Sequence, residues 1–243
     1  WLKASMRELD PKRSKPWKPW HRLTRAAKKP VTPGDQLRDL DWKILARTDR
    51  YFVKLFEDET NLRAHILLDC SRSMGFKSGD LSKLEYGCYL AAALTHLMLR
   101  QNDAVGLVLF DQTVRTFLPT HARPTQFRRV LEMLEAVRPR GETNIGAILH
   151  EVADRIRRRG LVILISDLVD DPEPITRGLQ HFRHNHHEVI VFHVLDHAEL
   201  TFPFQRMTRF KDMEGPGEVL THPQNTRSQY LTRLEAFIER MRS

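Results

Sequence analysis

Asp69, Ser71 and Ser73, at alternate positions in "HILLDCSRSMG" (65–75), close an apolar run with three oxygen-bearing side chains. Alternate residues leaving a strand tip point to one side, so these three can aim at a common point while Cys70 and Arg72 face elsewhere. A second apolar run, "LVILIS" (161–166), ends on Ser166 and is followed at once by Asp167. Between the two, "RGETNIG" sets Thr143 in a glycine-bracketed loop ahead of a helical pattern. Asp69, Ser71, Ser73, Thr143 and Asp167 together offer two carboxylates and three hydroxyls, with no thiolate and no imidazole. Such hard oxygens select Mg2+, with Mn2+ or Ca2+ as alternatives, over zinc. Two anions balance one dication, and an incoming carboxylate can replace one of the waters that complete its octahedron.

These residues meet only if the chain folds so that the strand tips share a rim. "AHILLD" (64–69), "AVGLVLF" (104–110), "LVILIS" (161–166) and "EVIVFHVL" (188–195) are continuous apolar runs of buried-strand length. "TVRTFLP", after Asp111-Gln112, reads as a hairpin partner of the second run. Helical patterns lie at 82–100, 124–138 and 145–159, and Asp171, Pro172 and Glu173 open a further one with a cap, a first-turn proline and a favourable charge. The alternation predicts an α/β fold: a doubly wound, mostly parallel Rossmann-like sheet with one antiparallel hairpin strand and helices on both faces. Ligands bind such sheets at the carboxyl ends of the strands, where strand order reverses. The helix at 82–100 is apolar around most of its girth and is expected to be well buried, whereas the rim itself should lie outside the core. "RFKDMEGPGEVLT" predicts a small exposed hairpin, and "RSQYLTRLEAFIERMRS" an amphipathic final helix.

Composition bounds the function. With 41% apolar and 29% charged residues the chain is of globular type, and no apolar run approaches the ~18 residues that span a bilayer. The net charge of +8 sits in residues 1–30, which hold ten Lys or Arg against two acids; residues 31–243 carry 29 of each sign. That basic, Trp- and Pro-rich arm reads as a solvated tail, and no nucleic-acid partner is expected. Cys70 and Cys88 fit neither a disulfide framework nor a zinc site, and read as thiols in a reducing cytoplasm. The histidine run "HFRHNHHEVIVFH" has no spacing that brings a third ligand to a pair. Asp170, Asp171 and Glu142 lie near the rim; the first two are better explained by the helix opening that Asp171 caps, and Glu142 as a solvated loop acid. Arg72 and Met74 flank the first loop and are candidates to face a partner.

"DCSRS", "ETNIG" and "ISD" resemble the three loops of a metal-ion-dependent adhesion site in von Willebrand factor type A domains. With "PGDQLRDLDWKILARTDRYFVKLFEDETNLRAHILLDCSRSM", "AVGLVLFD", "GETNIG", "DDPE" and "HEVIVFHVLDHAELTFPF", the chain resembles the bacterial "domain of unknown function 58" family from about residue 33 onward. The resemblance implies a von Willebrand A-like domain over 61–243, a family-specific lead-in over 33–60, and an arm over 1–32 that departs from the family pattern. It carries the metal-site roles to Asp69, Ser71, Ser73, Thr143 and Asp167, every residue type intact. Asp41, Trp42 and Arg47 match a family signature and are expected to stitch the lead-in to the domain. The family normally continues into one more strand after the final helix, which leaves the expected sheet one strand short. By the same resemblance the protein is a non-enzymatic, Mg2+-dependent binding module that accepts an acidic residue from a protein partner, a MoxR-type AAA+ ATPase or its client. The alternative is a metal-dependent hydrolase or phosphatase using the same rim, against which stands the lack of a phosphatase signature, nucleophile elbow or phosphate-binding loop.

Overall fold

The computed structural model describes residues 27–30, 51–55, 62–211 and 217–242. The chain divides into two units, Trp1–Thr60 and Asn61–Ser243. In the first, β1 (Ala27–Pro30) pairs antiparallel with β2 (Phe52–Leu55). The signature positions Asp41, Trp42 and Arg47 lie outside the described residues.

The second unit is built on a five-stranded sheet, with β3 (Arg63–Asp69), β4 (Ala104–Phe110), β5 (Val114–His121), β6 (Leu161–Ser166) and β7 (Glu188–His193) in the order β5-β4-β3-β6-β7. β3 runs parallel to both β4 and β6, β6 runs parallel to β7, and β4–β5 is the antiparallel hairpin. This is the expected fold class. The apolar runs are continuous because both faces are covered, so alternate residues enter different cores. Ile66, Leu68 and Ile165 join a core with Leu84 and Ala91 of α1 (Lys83–Arg100) and Val130 and Leu134 of α2 (Thr125–Ala136). Leu67, Val108 and Leu164 join the opposite one, with Ile148, Leu149 and Val152 of α3 (Ile145–Arg155) and Ile175 and Phe182 of α4 (Pro172–His184). Beyond β7 come α5 (His197–Thr201), the antiparallel hairpin β8 (Thr208–Lys211) and β9 (Glu218–Thr221), and α6 (Pro223–Arg242).

Strand order reverses at β3, which has β4 on one side and β6 on the other. The tips of β3 and β6 therefore flank the crevice in which ligands bind in open α/β sheets. Helix α3, which opens just after Thr143, is held against α4 by close contact. A Cβ on Gly178 would fall 2.6 Å from Cβ of Leu149, so only glycine lets the two helices approach this far.

Three expectations are corrected. Helix α1 is not covered all round: Tyr86, Tyr89 and Leu97 are 53%, 65% and 54% exposed. One of its faces packs on the sheet, α2 covers the flank, and the third side meets solvent despite its apolar letters. Helix α3 stops at Arg155 rather than 159, since Ile156 is already extended and the chain turns there toward β6. Strand β7 ends at His193 because Asp196 starts α5, an element without a strong periodic signal; its capping box pairs Asp196 with Glu199.

Candidate functional site

Asp69 ends β3 and is fully buried, which corrects the expectation that the rim lies outside the core. The Ser71 N–H donates to its Oδ1 at 2.9 Å, and the Ser166 hydroxyl donates to its Oδ2 at 2.7 Å. A single 3-10 turn over Ser73–Gly75 folds the chain back, leaving the Ser71 and Ser73 hydroxyl oxygens 3.0 Å apart. Met74, in that turn, is fully buried in the core, so it anchors the loop and cannot face a partner; Arg72 is exposed. Burial pushes the Asp69 carboxyl up to about 7, and the Asp167 carboxylate adds to the rise, while the bonds from Ser166 and Ser71 pull the other way.

The segment leading to Thr143 is lashed to this turn by two backbone bonds, Arg72 N–H to Gly141 O and Arg140 N–H to Cys70 O, both 3.0 Å. Gly141 has φ +78°, and a Cβ there would lie 2.8 Å from Asp111 Oδ2. Asp111 accepts from Arg115 Nε at 2.6 Å, and the same guanidinium donates through Nη1 to the Arg138 carbonyl at 3.0 Å. Arg115 thus clamps the approach to the loop from the hairpin side. Thr143 follows two residues after Gly141 and is half-buried. Asn144 caps α3 through the Ala147 N–H, and Asp170 Oδ2 accepts the Ile145 N–H at 2.8 Å. Asp170 therefore serves the start of α3, and Asp171 caps α4 as expected. Glu142 is exposed and accepts a bond from Gln112 Nε2.

Asp167, at the end of β6, is as deeply buried as Asp69. Its carbonyl accepts the Nε2–H of His193 at 3.0 Å. Its Oδ2 accepts from Lys83 Nζ at 2.8 Å, and Lys83 donates to Glu199 Oε1 at the same distance. Burial alone would push the Lys83 ammonium down, but Asp167 and Glu199 more than offset it and hold it above its ordinary value. Lys83 and Glu199 escaped the sequence reading. One signal existed for the first: Lys83 is the residue after the Ser82 cap, the positive end of a helix, where a cation is disfavoured without a partner. Beside Lys83 opens a cleft of about 380 Å3 lined by Leu81, Tyr86, Phe192, His193 and Asp196.

Among the described residues no three His, Cys, Asp or Glu side chains form a metal-binding group. His187 accepts the Gly160 N–H, and His181 pairs with His150 through Nδ1 atoms 3.1 Å apart, a contact between α4 and α3 that the histidine run alone did not disclose. Both cysteines are free, and burial pushes both thiols up, Cys88 to about 11. No helix among the described residues is long and apolar enough to cross a membrane.

Two buried carboxylates, Asp69 and Asp167, close the adjacent strands β3 and β6 among serine hydroxyls at the crevice. That donor chemistry suits a hard dication.

Comparison with known proteins agrees with this architecture. The family model described as "Protein of unknown function DUF58" matches residues 28–237. The uncharacterized proteins Rv1480 of Mycobacterium tuberculosis and Mb1516 of Mycobacterium bovis are each 26% identical over 175 residues, 70% of this chain and 54% of theirs. The chain thus spans about half the length of these curated relatives. Among solved structures, an aerotolerance-related membrane protein from Bacteroides fragilis superposes with a TM-score of 0.52 at 21% identity, covering 71% of this chain and 87% of that one. The conserved hypothetical protein BatB from Bacteroides thetaiotaomicron gives 0.50 at 18%, covering 71% and 85%. These likenesses speak to the fold, and the family match spans both units: the chain belongs to the DUF58 family.

Proposed function

We propose that residues 61–243 form a Mg2+-dependent protein-binding module, with Asp69, Ser71, Ser73, Thr143 and Asp167 holding the ion. The observation that carries this reading is the Asp69 carboxyl, fully buried at the crevice and raised to about 7 by burial and by Asp167. Two carboxylates withdrawn from water at one point have only the Lys83 ammonium, itself shared with Glu199, as a counter-charge, and a dication supplies the rest. When bound, the ion offers an open position to a Glu or Asp carboxylate of a partner. This chain orients the donors: Ser166 and the Ser71 N–H hold Asp69, and the Arg72–Gly141 bond ties the segment leading to Thr143 to the same turn. The cleft beside Lys83 would receive residues flanking that carboxylate, so specificity would come from its apolar walls rather than from the ion.

The partner in this reading is a MoxR-type AAA+ ATPase or its client, in the assembly or activation of other proteins, and the free thiols suit a cytoplasmic setting. The test is affinity capture from native lysate on immobilised wild type and Asp69→Asn, each in Mg2+ and in EDTA, with the eluates identified by mass spectrometry. Capture of an AAA+ ATPase by wild type in Mg2+ alone is the expected result. Equal capture in EDTA, or by the variant, overturns the reading.

A further inference from the structure

Asp167 is a ligand in the proposed cation site, yet it already carries the Lys83 ammonium. Lys83 Nζ lies 2.8 Å from Asp167 Oδ2 and 2.8 Å from Glu199 Oε1, with the lysine side chain 3% exposed. An ammonium buried at the start of a helix is doubly disfavoured, by desolvation and by the helix dipole. Only the two carboxylates make the position tolerable. Conversely, those carboxylates sit no farther apart than twice that distance, and the Asp167 side chain is wholly buried. Without Lys83 they would stand this close with no counter-charge between them. Glu199 belongs to α5, whose first turn is fastened to the loop before α1 by Asp196, which accepts the Ser78 N–H at 2.9 Å. The ammonium thus joins a candidate ion ligand to an element that contributes no ligand itself.

We propose that Lys83 is a built-in counter-cation: it partly offsets the charge of Asp167 and Glu199 when no divalent ion is bound, and its own charge keeps the affinity for that ion low enough for exchange. This rests on the cation-site reading and adds a direction to it. A unit positive charge in contact with a ligand oxygen repels a dication held by the same carboxylate. Even at a water-like dielectric of about 80 and a separation of about 6 Å, that repulsion amounts to roughly tenfold in affinity, and it grows as the crevice excludes water. A merely structural lysine would act the other way, since losing it would loosen the site and weaken binding.

Mn2+ binding to the full chain, read by electron paramagnetic resonance of the free ion, separates these cases for wild type, Lys83→Met and Glu199→Gln. Lys83→Met should melt at a lower temperature without metal but bind Mn2+ at least about tenfold more tightly. Glu199→Gln leaves the ammonium on Asp167 alone and should bind Mn2+ several-fold more weakly than wild type. Should Lys83→Met fail to fold, Glu199→Gln carries the test by itself. A folded Lys83→Met with unchanged or weaker affinity, or a Glu199→Gln with unchanged or tighter affinity, overturns the counter-cation while leaving the cation site standing. Wild type that takes up no Mn2+ at millimolar concentration removes the site itself, and this inference with it.

Discussion

The Ser166 hydroxyl donates to Asp69 Oδ2 across 2.7 Å, joining the tips of two adjacent parallel strands whose last paired residues are Leu68 and Ile165. Both side chains are fully buried, so the bond is sheltered from water. Ser166→Ala leaves a buried carboxylate oxygen without its donor, which costs about 1–3 kcal/mol. Urea unfolding monitored by far-UV circular dichroism should show that loss in the midpoint with an unchanged slope. A variant as stable as wild type would mean the bond contributes nothing.

Asp69→Asn should abolish divalent stabilisation while sparing the fold. An amide oxygen can still accept the Ser71 N–H, so metal-free stability should change by no more than about 1 kcal/mol, whereas Asp69→Ala orphans two donors and costs more. Thermal shifts in Mg2+ and Mn2+ decide: wild type should rise and Asp69→Asn stay flat. Equal shifts in the two proteins count against Asp69 as a ligand.

Gly141→Ala places a methyl group 2.8 Å from Asp111 Oδ2 at a residue whose φ is +78°. The left-handed backbone and the crowding together should cost about 1–3 kcal/mol, and the displaced loop should weaken Mn2+ binding as well. Chemical denaturation and calorimetric titration of one sample would reveal both effects. Loss of stability with intact ion affinity would dissociate the Thr143 loop from the site.

His65 supplies an acid-sensitive contribution remote from the rim chemistry. Its Nδ1 is buried without a hydrogen-bond partner among the described residues, and burial, then His187 and Arg63, lower its pKa from 6.5 to about 4. In the folded state the ring stays neutral where the unfolded chain already binds a proton. The contribution is therefore fully present above pH 6.5 and is lost as pH falls through about 4, a swing on the order of 3 kcal/mol. His65→Leu should flatten the stability profile between those limits. A variant whose acid limb matches wild type would assign that limb to other groups.

The strands, their order of occurrence and the donor types at their ends were legible in the letters. Uninterrupted apolar runs such as "LVILIS" encode strands covered on both faces, and hydroxyl and carboxylate identities are local chemistry that no neighbour can alter. Local composition likewise marked Asp171 as a cap, because capping joins residues one turn apart.

Burial and pairing were a different matter. The apolar letters of α1 did not say that Tyr86 and Tyr89 face solvent, since periodicity records chemical character and not which side a sheet or helix covers. Nor could they place Lys83, which lies 84 residues from Asp167 and 116 from Glu199 along the chain. Those three meet only because β6 lies beside β3 and β7 beside β6, so that Asp167 and the helix following β7 both reach the start of α1. The sequence by itself determined which elements form and which oxygens stand at their ends. Only the tertiary structure determined which charges are withdrawn from water together, because desolvation and Coulomb attraction depend on distance in space and not along the backbone.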